Sequence, residues 1–347
     1  MLFIKNKILL ISFFLIGLYS SLVFWILFHT KNDLLYPSRQ CASFYTYNGL
    51  YNINKKHLLK PDLFQAFYNN SLDFALLTPQ KLSNLKNKKL NFYHNQTLII
   101  PFSKKQKITK IVDLSKIWND KFHYNKLHIF WTLLTYPFAP ETAFLYLLQH
   151  SHSISNQSSF LNSKFTTLAS FNIKPNNFFG YFQIPTYNQL FSLVKNYVFT
   201  NAELVGHVNT DTKTLINAIK NSQSFIGFDF LGNTKNFCSF MKVKKLKNVR
   251  NVRNVQIKPI GSKIKLSANK KLSLYVQLPD RPKFPYQIKI YKNQKLFLTY
   301  SKIEKQIPIT KPGAYKILVE LMPPLPRPFK THWTPWIISN PFFVLEK

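Results

Sequence analysis

The sequence predicts an α/β body followed by an all-β module of sandwich type, preceded by one transmembrane helix. Three observations predict it. The run Ile8 to Phe28 (ILLISFFLIGLYSSLVFWILF) carries no charged residue. From about Asn32 to Asn236, helix-like amphipathic pieces alternate with short apolar strand-like pieces. After Gly232 this alternation gives way to short strands separated by turn residues. The expected units are therefore an anchor over 1–31, a β/α domain over 32–235 and a β-sandwich over 236–347.

As a helix rising about 1.5 Å per residue, the apolar run spans roughly 30 Å, the depth of a bilayer core. Tyr19 and Trp25 are interfacial residue types. No small-x-small cleavage site follows, and PSRQC, ending at Cys41, is not a lipobox, so the run reads as an uncleaved anchor. Lys5 and Lys7 precede it, while Lys31 and Arg39 follow with Asp33 offsetting them. The balance leans towards a body outside the cytoplasm.

In the body, KKHLLKPDLFQAFYNNSL reads as an amphipathic helix with Leu58, Leu59, Leu63, Phe64 and Phe67 on one face and Pro61 near its start. FALL, QTLIIPF and LHIFWTLLTYPF read as buried strands. ETAFLYLLQH, TYNQLFSLVKNYVF and DTKTLINAIKN read as helices, the last feeding a strand FIGFDFL. Beyond it, KVKKLKNVRNVRNVQIKPI is basic, and KIKLSA, KLSLYVQL, YQIKIYKNQKLFLTY, AYKILVEL and WIISNPFFVLE read as short strands, with a hairpin around Asn293. The prolines of DRPKFP and MPPLPRP suit edges and connections.

The composition narrows the chemistry. A net charge of +34, from 47 Lys+Arg against 13 Asp+Glu, makes a polyanion or an anionic membrane surface a candidate partner. AT-rich coding explains the Lys, Asn, Ile and Phe, but not the scarcity of acids. That scarcity leaves few carboxylates for metal clusters or acid–base pairs. The two cysteines, Cys41 and Cys238, form no CxxC; they are either two buried thiols or, outside the cytoplasm, a disulfide. No GxGxxG, GxxxxGK[ST], HExxH or GxSxG is present. Basic–aromatic stretches such as KFHYNKLHIFW could stack single strands, but with 33 Phe in the chain they read as core, which argues against specific nucleic-acid binding.

Five segments carry a resemblance. LFQAFYNNSLDFALLTPQ, IPTYNQLFSLVKNYVFTNAEL, LINAIKNSQSFIGFDFLGNTKNFCSFM, and the pair GAYKILVEL with PWIISNPFFV are similar to segments of the PHP (polymerase and histidinol phosphatase) metal-dependent phosphoesterases. The closer likeness is to membrane-anchored bacterial members that join a PHP barrel to a C-terminal β-sandwich. The resemblance implies a distorted β/α barrel, with Mn, Fe or Zn ions held by His, Asp and Glu at the C-terminal strand tips, activating water for ester hydrolysis. It also implies a bacterial inner-membrane location with a periplasmic body.

Position by position, the ligand residues are replaced. The family's His-x-His-Thr is matched by Ser43-Phe44-Tyr45-Thr46, and its Ser-Asp-Gly by Tyr47-Asn48-Gly49. Its Thr-Asp-His is Thr78-Pro79-Gln80, its His-Pro-Phe is Tyr136-Pro137-Phe138, and GYFQI (180–184) lacks its Asp-x-His. The chain between these motifs is short, which predicts lost elements and an incomplete barrel. His150 and His152 form the one metal-like pair, in a Ser/Asn-rich stretch that reads more simply as a solvated loop. Asp229 in GFDFLG could be an acid catalyst, but reads better as structural. The leading expectation is a non-catalytic binding or scaffold protein without a metal cofactor. The rivals are a phosphoesterase with a reduced site around His150 and His152, and a periplasmic-type anion-binding protein, suggested by NNSLDFALL and IVDLSKIWND.

Overall fold

A computed structural model describes residues 11–19, 44–54, 61–78, 92–94, 96–101, 110–113, 166–170, 176–178, 182–184, 186–245, 255–323 and 332–346. The first β/α unit is β1 (Tyr45–Asn54), α1 (Pro61–Asn69) and β2 (Phe74–Thr78). Pro61 opens α1, where its missing N–H costs nothing because the first helical donors have no partner inside the helix. Leu63, Ala66 and Phe67, at helical spacing, are buried in the main core. The helix stops in a Schellman turn: the Leu72 amide donates to the Phe67 carbonyl and the Ser71 amide to the Tyr68 carbonyl, with Ser71 at φ 47°.

β1 and β2 pair in parallel, with Gly49 opposite Phe74 and Asn54 opposite Thr78. On the far side of β2 lies parallel β4 (Thr97–Pro101). β3 (Phe92–His94) returns antiparallel along the outer edge of β4. On the other flank of β1 lies parallel β6 (Thr167–Ser170), and beyond it parallel β5 (Lys110–Asp113). The parallel arc thus runs β4-β2-β1-β6-β5. β7 (Asn176–Phe178) and β8 (Phe182–Ile184) form a separate hairpin.

The first half of β1 has a different neighbour. β9 (Lys195–Thr200) pairs antiparallel with Tyr45–Gly49, and β10 (Ser224–Gly227) follows it. α2 (Tyr187–Leu193), capped by a Thr186/Gln189 capping box, precedes β9, and α3 (Val208–Lys220) runs between β9 and β10. A 3₁₀ turn covers Asp229–Leu231.

The C-terminal strands are β11 (Cys238–Lys245), β12 (Val255–Pro259), β13 (Lys263–Lys265), β14 (Lys270–Gln277), β15 (Tyr286–Lys292), β16 (Lys295–Tyr300), β17 (Glu304–Ile309), β18 (Gly313–Leu321), β19 (Thr334–Ser339) and β20 (Phe342–Leu345). One sheet, β12-β11-β14-β17, is purely antiparallel and separate. The other strands extend the large mixed sheet: β19 pairs with β10, and β18, β20, β13, β15 and β16 continue from it. Met241, Val243, Leu272, Leu274, Val276 and Ile307 face Ile288, Ile317, Val319, Ile337 and Val344 within one core. That core also contains Leu50, Phe67 and Phe191 of the β/α part.

The mixed α/β architecture with a second antiparallel sheet follows the sequence expectation, and several elements differ in detail. TYNQLFSLVKNYVF is not one helix. It breaks at Val194, which is extended, and Lys195–Thr200 form β9, because Tyr197, Val198 and Phe199 bury better on a pleated sheet between β1 and β10. GFDFL is strand only to Gly227 before the 3₁₀ turn. β17 was not expected; its Pro308 sits on an edge strand bonded to β14 alone. The segments LHIFWTLLTYPF and ETAFLYLLQH lie outside the described residues. Among the described residues no helix is long and apolar enough to cross a membrane. Residues 11–19, which are helical, lie within the expected span, and its remaining residues lie outside the described ones.

Candidate functional site

The parallel arc has two ends with different chemistry. At the C-terminal end, Asn54 stands opposite Thr78, Leu77 opposite Pro101, and Asp113 opposite Ser170, with Tyr51 also opposite Ser170. This is the end where open and closed β/α sheets carry their sites. Tyr45 lies at the other end of β1, opposite Thr200 and 43% exposed. At about 3.3 Å per residue it is roughly 30 Å from Asn54. The sheet therefore does not bring Tyr45 together with Thr78. Ser43, Gln80, Tyr136, His150 and His152 lie outside the described residues.

The N-terminal end of β2 holds a dense polar cluster. Asp73 accepts from the Asn48 backbone N–H at 2.8 Å and from Asn48 Nδ2 at 3.1 Å, while the Asp73 amide donates to the Asn48 carbonyl. Asn48 Nδ2 also donates to the Ser71 carbonyl. Lys195 Nζ donates to the Asn70 carbonyl at 3.2 Å and lies 3.6 Å from Asp229 Oδ2. Tyr197 Oη donates to the same Oδ2 at 2.7 Å. Asp229 Oδ1 accepts from the Thr234 hydroxyl and the Thr234 amide.

Burial pushes the Asp73 carboxyl above the ordinary carboxylate range, opposed by the Asn48 amide and by Lys235 and Lys195. Burial likewise raises Asp229, opposed by Lys195, Thr234 and Tyr197. The Tyr197 phenol is raised by burial and by the Asp229 charge. Perturbed groups of this kind mark both catalytic sites and structural networks. Here Asp229 has both oxygens engaged by four donor groups, and the cluster sits at the end of the strands away from the C-terminal tips. Its chemistry is that of a clamp joining α1, β9 and the 3₁₀ turn.

Two asparagines act as further clamps, and sequence reasoning missed both. Asn196 Nδ2 donates to the Ala169 and Gly49 carbonyls, and its Oδ1 accepts from the Ala169 amide, so it stitches β9 to β6 and β1. Asn340 Oδ1 accepts from the Thr167 amide at 2.7 Å, and its Nδ2 donates to the Thr167 carbonyl and to Ser224 Oγ. The neighbouring Ser339 Oγ accepts from the Ile317 amide. The Ser-Asn-Pro segment was the available signal for this clamp.

Among the described residues no three His, Cys, Asp or Glu side chains come together as a metal group. Cys238 is disulfide-bonded, and Cys41 is the one other cysteine in the sequence. No family model matches the chain, and no curated protein and no solved structure matches it.

Proposed function

We propose that this protein is a membrane-anchored, PHP-like protein that has lost its metal ligands and acts by binding or scaffolding. The order of the parallel strands carries this reading. From β1, one flank runs β2 then β4 and the other runs β6 then β5. Taken as a ring, that is chain order, β1-β2-β4-β5-β6 and back to β1, as in a β/α barrel. A doubly wound binding protein reverses its strand order at a switch point, giving 3-2-1-4-5-6 or 2-1-3-4-5 instead. The strand order therefore disfavours the anion-binding alternative. The antiparallel β3 on the edge of β4 supports an incomplete barrel.

The register also moves the family comparison along β1. In a barrel, the His-x-His ligands belong beside Thr78, which is the position of Asn52-Ile53-Asn54, not of Ser43 and Tyr45. Asparagine amides are neutral and hold Mn, Fe or Zn poorly compared with imidazole and carboxylate. The replacement argument thus survives the change of position. The disulfide at Cys238 supports an oxidising compartment, in keeping with a periplasmic body.

The test is the metal content of the purified full chain, by elemental mass spectrometry, after loading with Mn, Fe or Zn. We expect well under one ion per chain. Near-stoichiometric retention would overturn the reading and favour the active phosphoesterase, whose activity should then be lost on replacing His150 and His152.

A further inference from the structure

We propose that the lysine-bearing end of the outer face of the sheet β12-β11-β14-β17, at Lys242, Lys244 and Lys271, is apposed to the bilayer, these lysines engaging the phosphates of anionic phospholipid headgroups. The inference rests on the anchored reading above. Strand alternation separates the two faces of this sheet. Met241, Val243, Leu272, Leu274 and Val276 point into the core. The intervening residues Phe240, Lys242 and Lys244 of β11 stand opposite Tyr275, Ser273 and Lys271 of β14 on the other face.

Lys244 and Lys271 are thus a directly opposed like-charge pair, both exposed, with half-buried Lys242 two residues along the same face. Like charges directly opposite each other destabilise a sheet. None of the three has a carboxylate partner among the described residues, and none belongs to the ion pairs Lys195–Asp229 and Lys289–Glu320. The acidic residue of this face, Glu304, pairs with Gln277 at the opposite end of β14. A bound anion would relieve the repulsion.

The path of the chain selects which anion. Phe44 packs on the stacked Phe240–Tyr275 pair, whose ring centroids are 4.6 Å apart, and Cys238 of the same face is disulfide-bonded. The described body therefore begins, at Phe44, against this face. From Phe28 to Cys41 the chain reaches at most roughly 45 Å, its fully extended length. The face that receives so short a tether is the one held nearest the membrane. Each lysine close to an anionic surface adds to the attraction, within a Debye length of about 8 Å.

The experiment reconstitutes the full chain in nanodiscs of phosphatidylcholine, with or without phosphatidylglycerol. Lysines are acetylated briefly and read by mass spectrometry, with Lys213 and Lys292 as controls. We expect labelling of Lys242, Lys244 and Lys271 to fall at least threefold in the anionic discs and recover in high salt, the controls being unchanged. Incorporation with equal labelling in both discs would overturn the apposed face alone. Failure to incorporate would overturn the anchor and this inference with it. Equal protection on neutral discs by inorganic phosphate, or by a soluble polyanion, would assign the lysines to a soluble ligand and overturn the membrane assignment.

Discussion

At the scale of single residues, amide clamps satisfy backbone groups across distant strands. Asn340→Ala leaves the buried amide and carbonyl of Thr167 without their side-chain partner and removes the bond to Ser224. An unsatisfied buried backbone group costs about 1–3 kcal/mol, so a loss of roughly 3 kcal/mol is expected. Urea unfolding should show a lower midpoint with an unchanged slope; a shift under about 0.5 kcal/mol would remove the clamp from the account. Asp73 offers a test by pH. Its folded pKa is raised above the ordinary 3.8, so the folded state keeps a proton that the unfolded chain releases first. Stability from this group is therefore highest at low pH and falls as pH rises from about 3.8 through the folded value. Asp73→Asn lacks that dependence. The stability of Asp73→Asn relative to the unmodified protein should grow across the window and then level off. A flat difference, or one of opposite sign, would show that the Asn48 amide and the lysines outweigh burial.

At the scale of elements, two helices end in the same way with different consequences. α1 closes with Ser71 at φ 47° and α3 with Ser222 at φ 59°, each at the left-handed position where glycine is free of the Cβ penalty. Ser71 is exposed and its side chain does nothing for the turn, so Ser71→Gly should stabilise by about 1 kcal/mol. Ser222 is buried and its hydroxyl lies 2.7 Å from Thr166 Oγ1, so Ser222→Gly trades the relieved strain for a lost hydrogen bond. A matched gain in urea midpoint for both would mean that the hydroxyl pair contributes nothing.

These elements also mark how far the sequence was legible. α1, β2, α3 and the hairpin at Asn293 follow from local signals: apolar spacing, a proline at a helix start, an asparagine in a turn. β9 did not, because NQLFSLVKNYVF keeps apolar residues near helical spacing on both sides of Val194. What decides between helix and strand there is the edge of β1 waiting to be paired, a partner about 150 residues earlier in the chain. The location of the expected site was not legible. Ser43 and Tyr45 matched by sequence spacing, whereas the end of β1 that adjoins Thr78 is set by strand register. The Asp73–Lys195–Asp229 cluster depends on three separate elements meeting, and no local pattern announces that.

At the scale of the whole molecule, the change of composition near residue 235 falls between the 3₁₀ turn and β11, yet the architecture does not separate there. β10 pairs with β19 through Phe225–Gly227 opposite Ile337–Ser339, and the Phe228 amide donates to the Trp336 carbonyl. Trp336 is fully buried, with its indole N–H on the Gly232 carbonyl. Burying a side chain of that size contributes roughly 5 kcal/mol of transfer free energy, shared between the two parts. Removing the C-terminal strands would expose an edge of β10 and uncover Phe225 and Phe228, and would take away Asn340, which holds β6. The β/α part and the C-terminal strands should therefore unfold together. Differential scanning calorimetry of the full chain should give one transition, with calorimetric and van't Hoff enthalpies agreeing. A chain ending at residue 235 should show no cooperative transition at all. Two resolved transitions, or a truncated chain that melts cooperatively, would mean that the β10–β19 ladder joins two units already stable alone.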